Sequence, residues 1–370
     1  MGSVGIRVGR VEEATVARWR MHSQRLWGAR ATGIGDALGA LAASQGQDLL
    51  PSAWALAQRV PTGTVTEQDV LAAYDAGTIV RTHLLRPTWH FVHPADLRWL
   101  LRATAPRVHR VNGTVYRRWG FDERVLATIR TTIVSALSDG QHLTRKEIGA
   151  ALAGAGLELA GQGLAYALMF AELEGLICSG ARRGKQHTYA LLEQRVRGSD
   201  DRSRPQTLAE LARRYFTARG PASVRDLAGW ASLTLTEATQ ATRDAAHGLE
   251  SFIADDTTYW HAPGQPPPAA DEPRADLING LDELVMSYTQ TRTVLTGGRP
   301  WGQGTTSDMY HAVLIDGRLA GHWTYRRDSH GRPSQIPIHP LGDWTSAQHH
   351  AVGEAVARFE RFVGHPVERA

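Results

Sequence analysis

The sequence predicts an α+β protein built as three tandem winged-helix units with a C-terminal β-rich, barrel-like domain. A helix-capping signal recurs at Thr66, Thr144 and Ser223, spaced 78 and 79 residues apart. Such even spacing points to a repeated unit. Each signal lies in a run of helical periodicity that leads into two short β-rich stretches, and helices followed by a hairpin is winged-helix order. Beyond the break Pro263-Gly-Gln-Pro-Pro-Pro268 the composition turns toward strands. The expected modules are therefore 1–120, 121–197 and 206–262 for the three units and 277–370 for the last domain.

Composition narrows the class. A chain of 370 residues with 42% hydrophobic content is folded and long enough for several modules. No run of about 18 apolar residues occurs, and residues 1–13 lack an apolar signal core, so the expectation is a cytoplasmic protein without membrane contact. Cys178 is the single cysteine, which excludes a disulfide framework and a multi-cysteine zinc site and suits a core thiol. The sixteen histidines form no HExxH pattern, so neither metal nor cofactor is expected. A formal charge of +4 and a pI near 9.4 are compatible with a polyanionic partner. The cations are 39 Arg and only two Lys, Lys146 and Lys185. Arginine suits forked contacts to phosphate, although genomic base composition produces the same bias.

In the first unit, Val16, Trp19 and Leu26 mark a helix over 12–28, and an Ala/Leu-rich helical run over 36–44 leads into Gln45-Gly46-Gln47-Asp48. Pro51-Ser52 starts the next helix. Two amides and a carboxylate within four residues can face one cavity; an ordinary loop uses the same residues. Thr66-Glu67-Gln68-Asp69 caps a further helix that Gly77 stops, and strands follow over 78–83 and 88–92 with Arg86-Pro87 between them.

In the second unit, Leu126, Ile129, Ile133 and Leu137 have helical spacing, and the segment 162–176 is read as a recognition helix. Strands over 177–179 and 187–192 then flank a tip carrying Arg182, Arg183 and Lys185. That tip reads either as a phosphate contact or as a solvated basic turn. Arg197-Gly-Ser-Asp-Asp-Arg-Ser-Arg-Pro205 is a polar linker. The third unit opens on the stripe Leu208, Leu211, Ala212, Tyr215 and Phe216, continues through the Ser223 helix and a helix begun at Thr234, and closes with a wing over 251–260. In the last domain strands are expected over 284–288, 309–315 and 319–325, with Asp316-Gly317 as a hairpin turn and a final helix over 346–362.

Taken together, Gln45-Gly46-Gln47-Asp48, Arg81-Thr82-His83-Leu84-Leu85-Arg86-Pro87-Thr88-Trp89-His90, Arg219-Gly220-Pro221-Ala222, Leu281-Asp282-Glu283-Leu284 and Asp316-Gly317-Arg318 resemble the AlkZ/YcaQ-type winged-helix DNA glycosylases. The match lies in their order over nearly the whole chain, not in any one motif. The resemblance implies a concave DNA-binding surface and excision of N7-alkylated purines. In some members it also implies self-resistance to genotoxic metabolites or the unhooking of crosslinks. The catalytic pair of that family falls in a Gln-x-Gln or a Gln-x-Asp motif, so Gln45 and Gln47 place this chain with the AlkZ-like branch. The middle residue there is often aliphatic. Gly46 departs from that, and the expected consequence is a looser loop or room for a bulkier adduct.

An N7-alkylated guanine is cationic and leaves readily, so the remaining work is to stabilise charge on the sugar and hold a water near C1′, which amide oxygens can do. Gln45 and Gln47 are the expected catalytic pair, with Asp48 as an electrostatic contributor or base. Arg86, Thr88 and His90 lie in the same unit and either border the lesion or grip the flanking phosphate, while His90 could equally just face the polar side of a strand. Neither lysine is an obvious Schiff-base nucleophile, so a monomer that hydrolyses the N-glycosidic bond in double-stranded DNA and leaves an abasic site, without a lyase step, is expected. The rival from another class is a non-catalytic winged-helix DNA-binding protein or transcription regulator, which three units in one chain disfavour because regulators usually pair identical subunits.

Overall fold

The computed structural model describes residues 12–198, 202–299 and 311–369. The three expected capping boxes are present: Thr66, Thr144 and Ser223 accept from the N–H three residues on, while Asp69, Glu147 and Asp226 reach back to the cap N–H. Each box satisfies two backbone donors that a helix start otherwise leaves open. They begin the helices Glu67–Ala76, Arg145–Gly154 and Val224–Trp230.

A helices-then-hairpin order recurs three times. Helices Ile34–Leu41, Leu49–Ala57 and Glu67–Ala76 precede the antiparallel strands Val80–Leu84 and Arg86–Val92. Glu123–Ala136, Arg145–Gly154 and Gly161–Leu173 precede Ile177–Ser179 and Thr188–Leu191. Arg204–Arg219, Val224–Trp230 and Leu235–Ala245 precede Glu250–Ala254 and Thr257–His261.

Several elements differ from the sequence reading. The helical run does not reach Ser44: Ile34–Leu41 ends at Ala42, whose φ of 61° turns the chain, and Ala43–Gln45 becomes a third strand beside Arg86–Val92. The segment read as a recognition helix, Gly161–Leu173, is buried from Ala167 to Leu173, and only its N-terminal half, with Gly161 and Gln162 exposed and Ala165 and Tyr166 half-buried, is open to a partner. The 25-residue helix Pro94–Arg118 was not anticipated, because Pro106 and six arginines break its apolar pattern; His93 caps it and Pro94 occupies the first turn, where proline costs no hydrogen bond.

The C-terminal part is not a closed barrel among the described residues. It holds an open four-stranded sheet, with Ala275–Ile278, His311–Ile315, Arg318–Trp323 and Ile338–Pro340 in that order, and a separate three-stranded one. Asp316 and Gly317 make the expected turn with both φ positive, 52° and 77°. The expected strand over 284–288 is instead the short helix Glu283–Met286, capped by Asp282, followed by a turn. Residues 309 and 310 of the next expected strand, 199–201 of the linker, and 1–11 and 370 of the outer modules lie outside the described residues. The final helix is Ser346–Val363.

One core cluster joins Met21, Val92, Trp99, Tyr215, Trp230, Tyr288 and Leu314, and another joins Trp54, Phe91, Leu277, Trp323 and Phe359. Each cluster draws together stretches far apart in sequence, and Glu283 is seated beneath the strand that carries Gln45. Among the described residues, no helix is long and apolar enough to cross a membrane.

Candidate active site

Gln45 lies opposite His90 in the sheet and is only 2% exposed. Its backbone N–H donates to Glu283 Oε1 at 2.9 Å, its Nε2 donates to Thr88 Oγ1 at 3.4 Å, and its Oε1 accepts the Gly46 N–H at 3.2 Å. Gln47, two residues on, is exposed, and its Oε1 accepts the Trp89 N–H at 3.3 Å. The Arg81 guanidinium clamps the loop between them, donating from Nε to Gly46 O at 2.6 Å and from Nη2 to Gln47 O at 3.1 Å while lying 4.2 Å above the Trp89 ring. Gly46 is buried and its N–H donates to Trp89 O at 2.8 Å. A Cβ there would stand 3.1 Å from His90 C and Phe91 N, so the loop is tight at the position where looseness was expected. Asp48 is exposed at the start of helix Leu49–Ala57 and makes no side-chain cap.

Beneath this loop lies a buried ionic assembly. Glu283 Oε2 accepts from Arg219 Nη2 at 2.8 Å, Trp230 Nε1 at 2.7 Å and Ser287 Oγ at 3.1 Å. Arg219 also donates to Leu41 O at 2.8 Å and Ala43 O at 2.9 Å, gripping both sides of the Ala42 turn. Burial alone would raise the Glu283 carboxyl, but the Arg219 and Arg86 guanidiniums outweigh it and hold it down at about 2. Arg59 binds the neighbouring Asp282 through both oxygens, at 2.8 and 2.9 Å. His90 is fully buried; burial first, and then Arg86, push its imidazole down to about 3, so it is neutral. Its Nδ1–H donates to Thr88 O at 3.0 Å, which leaves Nε2 to accept from Arg86 Nη2 at 3.3 Å.

The same loop adjoins a groove of about 680 Å³ whose walls include Arg81, Trp89, Tyr189, Arg145, Lys146, Arg183 and Lys185. Both lysines of the chain face it. No group of three His, Cys, Asp or Glu able to hold a metal occurs among the described residues.

The sequence matches the family "DNA glycosylase AlkZ-like" over residues 38–362. The chain belongs to the AlkZ-like DNA glycosylase family. Its fold is similar to that of the Streptomyces sahachiroi DNA glycosylase AlkZ, with a TM-score of 0.79 and 19% identity over 98% of this chain and 99% of that one. Compared with curated proteins, the chain matches none.

In this AlkZ-like chain the sequence-predicted residues do not all share one surface. Gln45, Gln47, Thr88, His90 and Arg86 converge on one sheet end, but His90 is sealed inside and Arg86 donates to Trp230 O at 3.0 Å. Arg183 and Lys185 are exposed on the groove, whereas Arg182 turns away and is bound by Asp75 through both carboxylate oxygens, at 3.0 and 2.7 Å. Sequence reasoning did not single out Arg81, Arg219, Trp89 or Glu283 as individual groups. Arg81, Arg219 and Glu283 are ionisable residues inside apolar stretches, and that placement was the available signal.

Proposed function

We propose that this AlkZ-like glycosylase hydrolyses the N-glycosidic bond of N7-alkylguanine in double-stranded DNA, leaving an abasic site without a lyase step. The observation that carries the reading is Gln47. Its carboxamide is exposed, its oxygen is set by the Trp89 N–H, and its backbone is clamped by Arg81 beside a groove rimmed with four further cations. The alkylated base brings its own positive charge, so no strong acid is needed to expel it. What the enzyme must supply is a fixed dipole against the charge forming on the sugar, and a water held in line.

Gln47 supplies the accessible amide. Gln45 acts from below: its donation to Thr88 Oγ1 leaves that hydroxyl's own proton free to point outward, toward a water or a sugar oxygen. Asp48, exposed and uncapped, is the adjacent carboxylate that can take the water's proton. Arg145, Lys146, Arg183 and Lys185 bind phosphates of the lesion strand. The recurrent helix and hairpin order supports a division into three winged-helix units and a β-rich C-terminal part, acting as a monomer. Protection against a DNA-alkylating natural product is the use that this chemistry suits.

The test is release of base from duplexes carrying N7-methylguanine or a bulkier N7 adduct, read as freed base and alkali-labile sites. Release by the wild type that is lost in Gln47→Ala supports the reading. Tight binding to an undamaged operator with no release would favour the regulator instead.

A further inference from the structure

Six arginines against one aspartate give helix Pro94–Arg118 a charge of +5. The whole chain carries +4, so all other residues together stand at −1. The chain's excess of positive over negative charge is thus matched by this one helix, while elsewhere cations and anions nearly cancel. Its buried side comprises Leu97, Leu100, Leu101, Thr104, Val108, Asn112 and their neighbours; at about 100° per residue Arg110 and Arg117 point away from it and Arg102, Arg107 and Arg118 lie toward its flanks, while Arg98 is half-buried and donates to Val196 O. Arg102, Arg110, Arg117 and Arg118 are exposed and Arg107 is half-exposed. At 1.5 Å per residue, Arg102 to Arg118 span roughly 24 Å.

The acids nearby are engaged elsewhere. Glu174 pairs with His109 at 3.3 Å and Arg130 at 3.4 Å, Glu123 pairs with Arg130 at 2.9 Å, and Asp122 caps the Val125 N–H at 2.8 Å. Within the described residues Arg107, Arg110 and Arg118 have no hydrogen-bond or ion-pair partner. A helix that keeps several guanidiniums exposed without counter-ions carries a standing electrostatic cost, which a bound polyanion removes. On the same side Val111 is 57% exposed and Trp119 is 37% exposed, apolar area that a docked partner would cover.

We propose that this arginine rail is a second DNA contact, which grips the backbone of the duplex flanking the lesion. It rests on the reading of DNA as the substrate. The helix follows directly from the strand that carries Thr88 and His90, and Arg102 lies roughly 12 Å along its axis from Pro94. The rail thus leads away from the glutamines and lengthens the footprint. A phosphate every 3.4 Å per strand along the duplex axis gives a 24 Å row of guanidiniums about seven successive partners to choose from.

The experiment uses the full chain and an undamaged 40-base-pair duplex, titrated from 50 to 200 mM salt. The variant Arg107→Glu/Arg110→Glu/Arg118→Glu is compared with Arg225→Glu/Arg243→Glu/Arg361→Glu, which changes net charge equally at exposed positions off the helix. The rail variant is expected to bind at least tenfold more weakly at 50 mM salt, with a salt slope shallower by roughly 2 to 3, since each lost phosphate contact removes about 0.9. The off-helix variant should change affinity less than threefold. Equal losses in both variants, or an unchanged slope in the rail variant, would overturn the rail. So would loss of binding to acidic vesicles or poly-glutamate with DNA affinity intact. Base release from N7-methylguanine by the wild type is scored separately, so failure of the glycosylase reading is not confused with failure of the rail.

Discussion

Glu283 and Gln45 are 238 residues apart in sequence, yet the Glu283 carboxylate accepts the Gln45 backbone N–H at 2.9 Å. The same carboxylate holds Arg219, which in turn holds the carbonyls of Leu41 and Ala43. A residue near the C-terminal sheet therefore fixes the strand on which the first motif glutamine stands. Replacing Glu283 with alanine would leave the Arg219 cation buried and unpaired, a change that typically costs about 3–5 kcal/mol. Glu283→Ala is expected to show that loss in urea unfolding. The milder Glu283→Gln keeps an acceptor for Gln45 but loses the ion pair, and should lower kcat for base release more than it raises KM. A Glu283→Gln protein with wild-type kcat would mean that the carboxylate has no hand in placing Gln45.

The two glutamines should separate stability from rate. Gln47 is exposed and its side chain makes one hydrogen bond, so Gln47→Ala should change unfolding free energy by less than about 0.5 kcal/mol, in line with surface substitutions. Its effect belongs in turnover, with an expected fall of roughly 10²- to 10³-fold, the scale for losing one preorganised dipole. Gln45 is buried and bonded to Thr88, so Gln45→Ala should slow base release and also cost about 1–3 kcal/mol of stability. Single-turnover kinetics beside denaturant curves resolve the two. If Gln45→Ala were slow but as stable as wild type, its contacts beneath the loop would not matter to the fold.

What could be read from sequence, and what could not, follows the range of the interactions. The caps at Thr66, Thr144 and Ser223 are three-residue motifs whose partners lie in the same turn, and all three appear as anticipated. The hairpin 80–92 and the turn at Asp316-Gly317 are equally local. Glu283–Met286 looked like a strand because it is a single four-residue turn with Glu283, Leu284 and Val285 all buried, too short to show a helical period. Gln45 and Gln47 were legible as a motif, but their different burial was not. It arises because Ala43–Gln45 pairs with Arg86–Val92, and because Glu283 arrives from the far end of the chain.

Acid should unfold this protein through two groups acting in the same sense. His90, held at about 3 against an ordinary 6.5, binds its proton in the unfolded chain first, so its contribution to stability is complete above pH 6.5 and drains away as pH falls toward 3. Glu283, held at about 2 against 4.5, contributes fully above pH 4.5 and loses that contribution as pH falls toward 2. Unfolding free energy should thus decline from pH 6.5 downward, by a few kcal/mol on the order-of-magnitude scale of such shifts. His90→Asn, which can keep a donor for the Thr88 carbonyl, should flatten the upper part of that decline. Urea midpoints measured from pH 7 to 4 decide it: a variant whose midpoints parallel the wild type would exclude His90 as the source.

Gly46 offers a test of how tightly the loop is built. A methyl group at this position would meet the backbone of His90 and Phe91 at 3.1 Å, so strand Arg86–Val92 would have to yield by a few tenths of an ångström. Gly46→Ala should therefore cost about 1–3 kcal/mol, the usual range for overpacking, and Gly46→Val more. Since the displaced strand also carries the Trp89 N–H that orients Gln47, base release should slow in the same order. Equal stability and equal turnover for glycine and valine would show that the loop has slack.

The tip of the hairpin formed by Ile177–Ser179 and Thr188–Leu191 should divide its three cations by role. Arg182 is bound at both ends of its guanidinium fork by Asp75, and its own backbone N–H donates to the same carboxylate at 2.8 Å. Arg182→Ala should accordingly destabilise the fold by about 1.5–3 kcal/mol, the range for charge-assisted hydrogen bonds, and leave DNA affinity within about threefold. Lys185 is exposed on the groove, and Arg183, although it reaches Glu147 at 2.7 Å, keeps 55% of its side chain exposed. Removing either should weaken binding to all duplex sequences alike and make the salt slope shallower by roughly 0.9, the signature of one lost phosphate contact. Titrations at two salt concentrations, run beside thermal unfolding, separate the residues. If Arg182→Ala lost DNA affinity as steeply as Lys185→Ala while melting like the wild type, the Asp75 pairing would have to open on DNA, and all three cations would act together on phosphate.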